Sequence, residues 1–120
     1  MMISPKKVIR SFRHALRGTV KVFREEHSFR VELVAAAAVT VLMFAFGLRT
    51  SEKAILVLVM LLVLVLELVN SVFERIADML KPRFHPYVED LKDIMAATVL
   101  VSAVGAVAIG LLIFWPYIVK

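Results

Sequence analysis

The chain has no cysteine, and only four of its 120 residues are glycine. Without cysteine it can form neither a disulfide framework nor a thiolate metal site. The sequence also contains no Walker A pattern, no glycine-rich phosphate loop and no protein-kinase catalytic loop. Any nucleotide site must therefore be built from side chains on helices.

Apolar residues make up 61% of the chain, whereas a soluble domain is roughly 45–50% apolar. A membrane-spanning helix needs about 20 apolar residues, so a chain of this length holds three or four spans and no separate soluble nucleotide-binding domain. The net charge of +5 on so apolar a chain indicates membrane orientation rather than nucleic-acid binding. The basic N-terminus has no apolar core of a signal peptide, so we expect no cleavage there.

Hydropathy and helical periodicity predict an all-α membrane protein with a single domain over residues 1–120. An amphipathic surface helix is expected over 5–26, where apolar residues recur at helical spacing and basic residues fill the other faces. Three spans are expected over 30–48, 54–80 and 93–118, and the second should extend beyond the membrane until Pro82 ends it.

The distribution of basic residues predicts that the N-terminus is cytoplasmic. In that orientation the N-terminal segment and the loop from Arg75 to Lys92 hold twelve of the fifteen Lys and Arg residues. Positive loops face the cytoplasm, and the aromatic cluster around Trp115 suits the opposite interface.

The second span carries a polar stripe at one end. At 100° per residue its members fall within about 100° of arc on one helix face, and they are Glu67, Asn70, Ser71, Glu74 and Asp78. An ionisable residue such as Glu67 in an apolar run costs a few kcal/mol, so its presence needs a reason. One reading is structural, with the carboxylates paired to the basic N-terminal helix. The functional reading is a magnesium site, because carboxylate and amide oxygens are its preferred ligands.

Two further polar clusters flank the spans. Glu25, Glu26, Arg30 and Glu32 precede the first span, and His85, Glu89, Asp90, Lys92 and Asp93 precede the third. The first cluster could share metal ions with the stripe, and a lysine in the second could hold phosphate as a point charge. A small proton-coupled transporter and a non-catalytic membrane subunit are the competing classes of function. Transporter sites lie near the membrane midplane, whereas these carboxylates lie near one edge.

The polar clusters together resemble the signatures of the prokaryotic diacylglycerol kinase family. The matching segments are Glu67-Leu-Val-Asn70-Ser-Val-Phe-Glu74, followed by Asp78, His85 and Lys92-Asp93, and, before the first span, Glu25-Glu26-His-Ser-Phe29-Arg30-Val-Glu32. The resemblance covers nearly the whole chain, from about Lys7 to Trp115, with the charged residues and spans in the expected order.

This resemblance implies a lipid kinase of the bacterial inner membrane that uses ATP and Mg²⁺. It implies a homotrimer with active sites shared between subunits. Glu67 would be the general base, and Glu26 and Glu74 would bind magnesium. The other nucleotide-binding positions would be Lys7, His14, Asn70, Asp78, His85, Lys92 and Asp93. Arg30, Glu32, Glu67 and Trp115 would contact the lipid substrate. His14 and Lys7 replace the Tyr and Arg of some relatives.

The lipid acceptor is either diacylglycerol or undecaprenol, since members of the family phosphorylate one or the other. His85-Pro86 resembles the undecaprenol-type branch, and Glu32 and Trp115 resemble the diacylglycerol-type branch. The balance leans slightly to diacylglycerol.

Overall fold

The computed structural model describes residues 3–119, with the backbone alone for Phe84. Three helices account for nearly all of this stretch: α1 (Pro5–Glu25), α2 (His27–Ala45) and α3 (Thr50–Ile118). Residues 3–119 contain no strand. The predicted all-α class is thereby confirmed.

Helix α1 is a basic amphipathic helix that packs little against the rest of the chain. Pro5 occupies its first turn, where the missing N–H is not needed. Its apolar side chains Ile9, Phe12 and Leu16 are more than half exposed, as expected for a helix that covers its apolar face with a membrane surface. The helix ends at Glu25, and the backbone of the next residue, Glu26, is extended. Arg30 then donates from its guanidinium to the carbonyls of Phe23 and Arg24, which lack helical partners at this end.

The turn between α2 and α3 is a Schellman motif that ends α2 at Ala45. Gly47 has a φ of 62° and donates to the carbonyl of Phe44, and the N–H of Leu48 donates to the carbonyl of Met43. These bonds satisfy carbonyls that the end of the helix leaves free. Met43 and Leu48 are also buried together in an apolar cluster with Leu56 and Phe114. The cluster joins α2 to both ends of α3.

Helix α3 folds back on itself as a hairpin. A straight helix of 69 residues would be about 100 Å long, whereas the longest dimension of the molecule is 58 Å. The hydroxyl of Tyr117 donates to Glu52, so the two ends of α3 meet. We name the two arms α3a (Thr50–Arg83) and α3b (His85–Ile118).

Helical backbone extends past Pro82 and Pro86, whereas the sequence indicated an end at Pro82. Each proline removes one backbone donor, and the chain reverses direction in this region, since Asp78 and Lys92 meet on either side of it. The ion pairs Lys81–Glu89 at 3.5 Å and Lys92–Asp78 at 3.1 Å tie the two arms together near the tip.

Three helices, α2, α3a and α3b, are long and apolar enough to cross a membrane. Most of their apolar side chains point away from the chain, including Leu58 at 68% and Leu112 at 75% exposure. Such a surface is stable against hydrocarbon and not against water. The chain is therefore a multi-pass membrane protein with an N-terminal surface helix, as the sequence predicted.

Replacing Gly47 by Ala should destabilise the fold. A side chain at positive φ costs about 1–2 kcal/mol, so the SDS-induced unfolding midpoint in mixed micelles should fall. Gly18→Ala is the matched control, because Gly18 lies within α1 and an added Cβ there meets nothing within 4 Å. This control should leave the midpoint unchanged or raise it. Equal midpoints for Gly47→Ala and the unsubstituted chain would contradict the role assigned to the turn.

Candidate functional site

The polar stripe of α3a packs against the start of α2. Glu67, Asn70 and Ser71 are the buried polar residues among residues 3–119, at 3%, 7% and 0% exposure. They share one helix face because they lie three or four positions apart or adjacent on the helix. Burial of three polar side chains requires hydrogen-bonding partners, and α2 together with the end of α1 supplies several of them.

Glu67 lies between two residues of the first turns of α2. The Ser28 hydroxyl donates to Glu67 Oε1 at 2.8 Å. Glu32, one turn further along α2, brings its carboxyl group beside that of Glu67. Oε2 of Glu32 is buried and has no hydrogen-bond partner within residues 3–119. A buried oxygen without a partner is costly unless a ligand satisfies it.

Glu26 is held by α3a through a hydroxyl and a guanidinium. The fully buried Ser71 hydroxyl donates to Glu26 Oε1 at 2.7 Å. Arg75, one turn further, lies 3.7 Å from the same oxygen and 3.3 Å from Glu25 Oε2, and it also donates to Ser71. The arrangement neutralises the acidic end of α1 with a cation from α3a. The pairing is the reverse of the structural reading, since the cation is Arg75 of α3a and the carboxylates are Glu25 and Glu26 at the α1–α2 junction.

Two further polar residues of the stripe lie nearer the hairpin tip. The Asn70 amide donates to Glu74 Oε1 at 3.3 Å, which orients that carboxylate along the helix. Lys92 of α3b donates to Asp78 Oδ1 at 3.1 Å. Glu74 and Lys92 line the same small cavity of about 60 Å³. This part of the molecule therefore combines a carboxylate and an amide of α3a with an ammonium group of α3b.

The donors fit a magnesium ion only in part. Among residues 3–119, no three His, Asp or Glu side chains are placed to hold a metal together. Glu26 nevertheless contacts α3a through the hydroxyl of Ser71. Glu74 lies about one turn further along the same helix and is bonded to Asn70. Mg²⁺ in nucleotide sites often uses only one or two carboxylates, with phosphates and water as its other ligands. The two carboxylates suit that kind of site.

An apolar groove runs between the helices from the turn that joins α2 to α3a towards the Glu32 carboxyl group. It has a volume of about 460 Å³ and is lined by α2, α3a and α3b from Phe46 and Ile118 at one end to Glu32 and Leu64 at the other. Phe46 lies 14 positions after Glu32, which corresponds to about 21 Å along a helix. Glu67 lies one turn beyond Leu64 and beside Glu32. The groove can therefore hold a long hydrocarbon chain with its polar end beside Glu32.

Other predicted site residues lie apart from this cluster. Lys7 and His14 are exposed on α1, and His85 and Asp93 are exposed near the hairpin tip. Trp115 lies at the opposite end of the spans, two residues from Tyr117 and its bond to Glu52. It is therefore separated from Glu67 by most of the length of the spans.

Ser28 and Arg75 were not predicted as site residues, and Ser71 was placed on the stripe without its role as a donor. Ser28 lies within the segment from Glu25 to Glu32, where no role was assigned to it. Arg75 could have been noticed, because it follows Glu74 directly and lies four residues after Ser71, a spacing that places both on one face. The sequence gives no register between α2 and α3a, so the partners themselves could not be assigned.

Comparison with known proteins agrees with this architecture. The sequence profile of the prokaryotic diacylglycerol kinase family matches residues 13–114. The chain is similar to the undecaprenol kinase of Bacillus subtilis, with 36% identity over 110 residues that cover 92% of this chain and 89% of that protein. It is also similar to the diacylglycerol kinase of Synechocystis, with 30% identity over 109 residues, 90% of this chain and 62% of that protein. The chain belongs to the prokaryotic diacylglycerol kinase family, and it is a lipid kinase.

Proposed function

We propose that the protein transfers the γ-phosphoryl group of MgATP to the hydroxyl of a membrane lipid alcohol. The observation that carries the proposal is the position of Glu67, a buried carboxylate beside Glu32, which borders the end of an apolar groove. A lipid in the groove would present its hydroxyl at this end, where a proton acceptor is needed.

Glu67 is the proposed general base. It takes the proton of the lipid hydroxyl as the oxygen of that hydroxyl attacks the γ-phosphorus and the bond to the β-phosphate oxygen breaks, leaving ADP. Glu67 has no cation within salt-bridge distance among residues 3–119. Its polar neighbours on α2 are the Ser28 hydroxyl and Glu32. Glu32 and Arg30 are proposed to border the lipid headgroup.

The nucleotide is proposed to lie on the other side of Glu67, towards the hairpin tip. Glu26 and Glu74 would hold magnesium, which when bound neutralises phosphate charge. Asn70 orients Glu74, and Lys92 is placed beside it to meet a phosphate as a point charge. The remaining nucleotide contacts are proposed to be Lys7, His14, Asp78, His85 and Asp93.

Undecaprenol is the acceptor that we propose first, which differs from the slight preference in the sequence for diacylglycerol. The undecaprenol kinase relative has the higher identity and matches over most of both chains. A groove that crosses most of the membrane also suits a long isoprenoid chain. Diacylglycerol is the second candidate, supported by the Synechocystis relative and by the Glu32 and Trp115 positions.

The polar cluster is proposed to face the cytoplasm, where ATP is available. Seven basic residues of α1 lie at this end of the spans, together with the lysine and arginine residues of the hairpin tip. This distribution agrees with the positive-inside rule. We therefore place the protein in the bacterial inner membrane with a cytoplasmic N-terminus. Protease protection of a tag on the N-terminus in inverted vesicles would disprove this orientation.

The active enzyme is proposed to be a homotrimer with shared sites. Within one chain, Asp93 makes no hydrogen bond or ion pair to the Glu26, Glu67 and Glu74 cluster among residues 3–119. A neighbouring subunit could supply such residues, since subunits of a symmetric ring contribute different surfaces to one interface.

The purified protein should phosphorylate a lipid alcohol when given ATP and Mg²⁺. Undecaprenol and a long-chain diacylglycerol should be supplied separately in identical nanodiscs, and the products should be identified by mass spectrometry. We expect the isoprenoid alcohol to react faster by about 10-fold or more, the scale of discrimination by apolar contacts. A preference for diacylglycerol would favour the second candidate. No phosphorylated lipid from either alcohol would contradict the proposed function.

Glu67→Gln should lower turnover by about 10² or more, because general-base catalysis contributes on that scale. It should leave binding of MgATP nearly unchanged. Glu74→Gln removes the same charge from the same helix face and should weaken MgATP binding as well as turnover. Glu89→Gln, which removes a half-exposed carboxylate at the tip, is the control. Nucleotide binding by calorimetry and turnover should be measured on the same samples. Loss of nucleotide binding in Glu67→Gln would move this residue to the metal site.

Mixed oligomers should distinguish a shared site from an independent one. Refolding inactive Glu67→Gln subunits with inactive Asp93→Asn subunits should restore activity, because some sites then combine an intact cluster from one subunit with an intact Asp93 from its neighbour. Glu67→Gln mixed with Glu26→Gln should restore none, because these two residues belong to one cluster in a single chain. Mixed trimers without any recovery in the first pair would show that each site is built within one subunit.

A further inference from the structure

The contact between Ser28 and Glu67 joins two helices at the proposed base. Ser28 is the second residue of α2, and its hydroxyl lies 2.8 Å from Glu67 Oε1. Glu67 is 3% exposed, so its oxygens have little access to water. Within residues 3–119, the Ser28 hydroxyl is a neutral donor from another helix that bonds to the Glu67 carboxylate.

The other polar groups near Glu67 have partners of their own or are themselves carboxyl groups. On its own helix, Asn70 donates to Glu74 and Ser71 donates to Glu26. On α2, the nearby group is the Glu32 carboxyl group, which repels Glu67 when both are ionised. Ser28 and Glu32 share one face of α2 because they are four residues apart. The two groups therefore act on Glu67 from the same side with opposite effects.

We infer that Ser28 is a positioning residue for Glu67, holding one carboxylate oxygen so that the other remains free for the proton of the lipid hydroxyl. A hydroxyl group can donate and accept. The contact can thus persist after the proton has moved from the lipid oxygen to Glu67. Ser28 itself gives up no proton in the net reaction. The inference rests on the proposed role of Glu67 as the base.

Ser28→Ala should lower kcat by about 10-fold, the effect of losing one hydrogen bond to a charged group. The KM values for ATP and for the lipid should stay within about twofold, because the contact acts on the base and not on substrate binding. Ser28→Thr keeps the hydroxyl and should retain most of the turnover. Ser51→Ala is the matched control, since Ser51 is the second residue of α3 at the other end of the spans.

A double-mutant cycle tests whether Ser28 acts through Glu67. In the Glu67→Gln background, Ser28→Ala should cause little further loss, whereas independent effects would multiply. If Ser28→Ala folds poorly, Ser28→Cys takes its place, because it keeps the size of the side chain with a weaker donor. Its kcat should fall in a similar way. Circular dichroism and elution volume check folding of each variant.

The two possible failures are distinguishable. Near-normal turnover of Glu67→Gln would overturn the proposed base and the positioning role that rests on it. Strong loss in Glu67→Gln with unchanged kcat in Ser28→Ala would overturn the inference alone. A raised KM for ATP in Ser28→Ala, or no recovery with Ser28→Thr, would also overturn it.

Discussion

Burial of the Glu67 carboxylate at the end of an apolar helix imposes a constraint that the other contacts must meet. Moving an ionisable group towards hydrocarbon costs a few kcal/mol, so the helix that carries it needs polar partners at the same depth. The first turn of α2 supplies one through Ser28. The end of α1 must then lie close to α3a, because Glu26 directly precedes α2. In this position Glu26 contacts Ser71 and Arg75 of α3a. A single buried carboxylate thus determines how three helices meet.

Small side chains give the groove its space. Ala35, Ala36 and Ala106 line it together with Gly110, so the facing helices leave room where larger side chains would fill the gap. At its far end the Phe46 and Phe114 rings meet edge to face, with centroids 5.9 Å apart, and they hold the turn after α2 against α3b. The groove is therefore closed by aromatic packing at one end and bordered by the Glu32 carboxyl group at the other.

The sequence predicts each helix better than the contacts between helices. The apolar runs locate the spans, and the 100° rotation per residue places Glu67 and Ser71 on one face. Neither pattern says which turn of α2 packs there, so Ser28 and Arg75 were not recognised as partners. Pro82 was expected to end a helix, but loss of one hydrogen bond can be accommodated within a bend. Residues such as His14 and Asp93 stay apart within one chain, so their predicted roles depend on contacts that a single sequence does not reveal.

Glu67 marks a boundary between two environments along α3a. Before it, Leu56, Val63 and Leu64 line the apolar groove. After it, α3a makes ionic contacts, with Arg75 beside Glu26 and Lys92 of α3b beside Asp78. A phosphate-rich ligand is attracted to the cations and excluded from the groove, whereas a hydrocarbon chain has the opposite preference. In the proposed reaction the two substrates approach Glu67 from opposite sides, and the hydroxyl of the lipid is the part that reaches the boundary. This separation of charge from apolar surface favours phosphoryl transfer to a lipid over proton transport through the membrane.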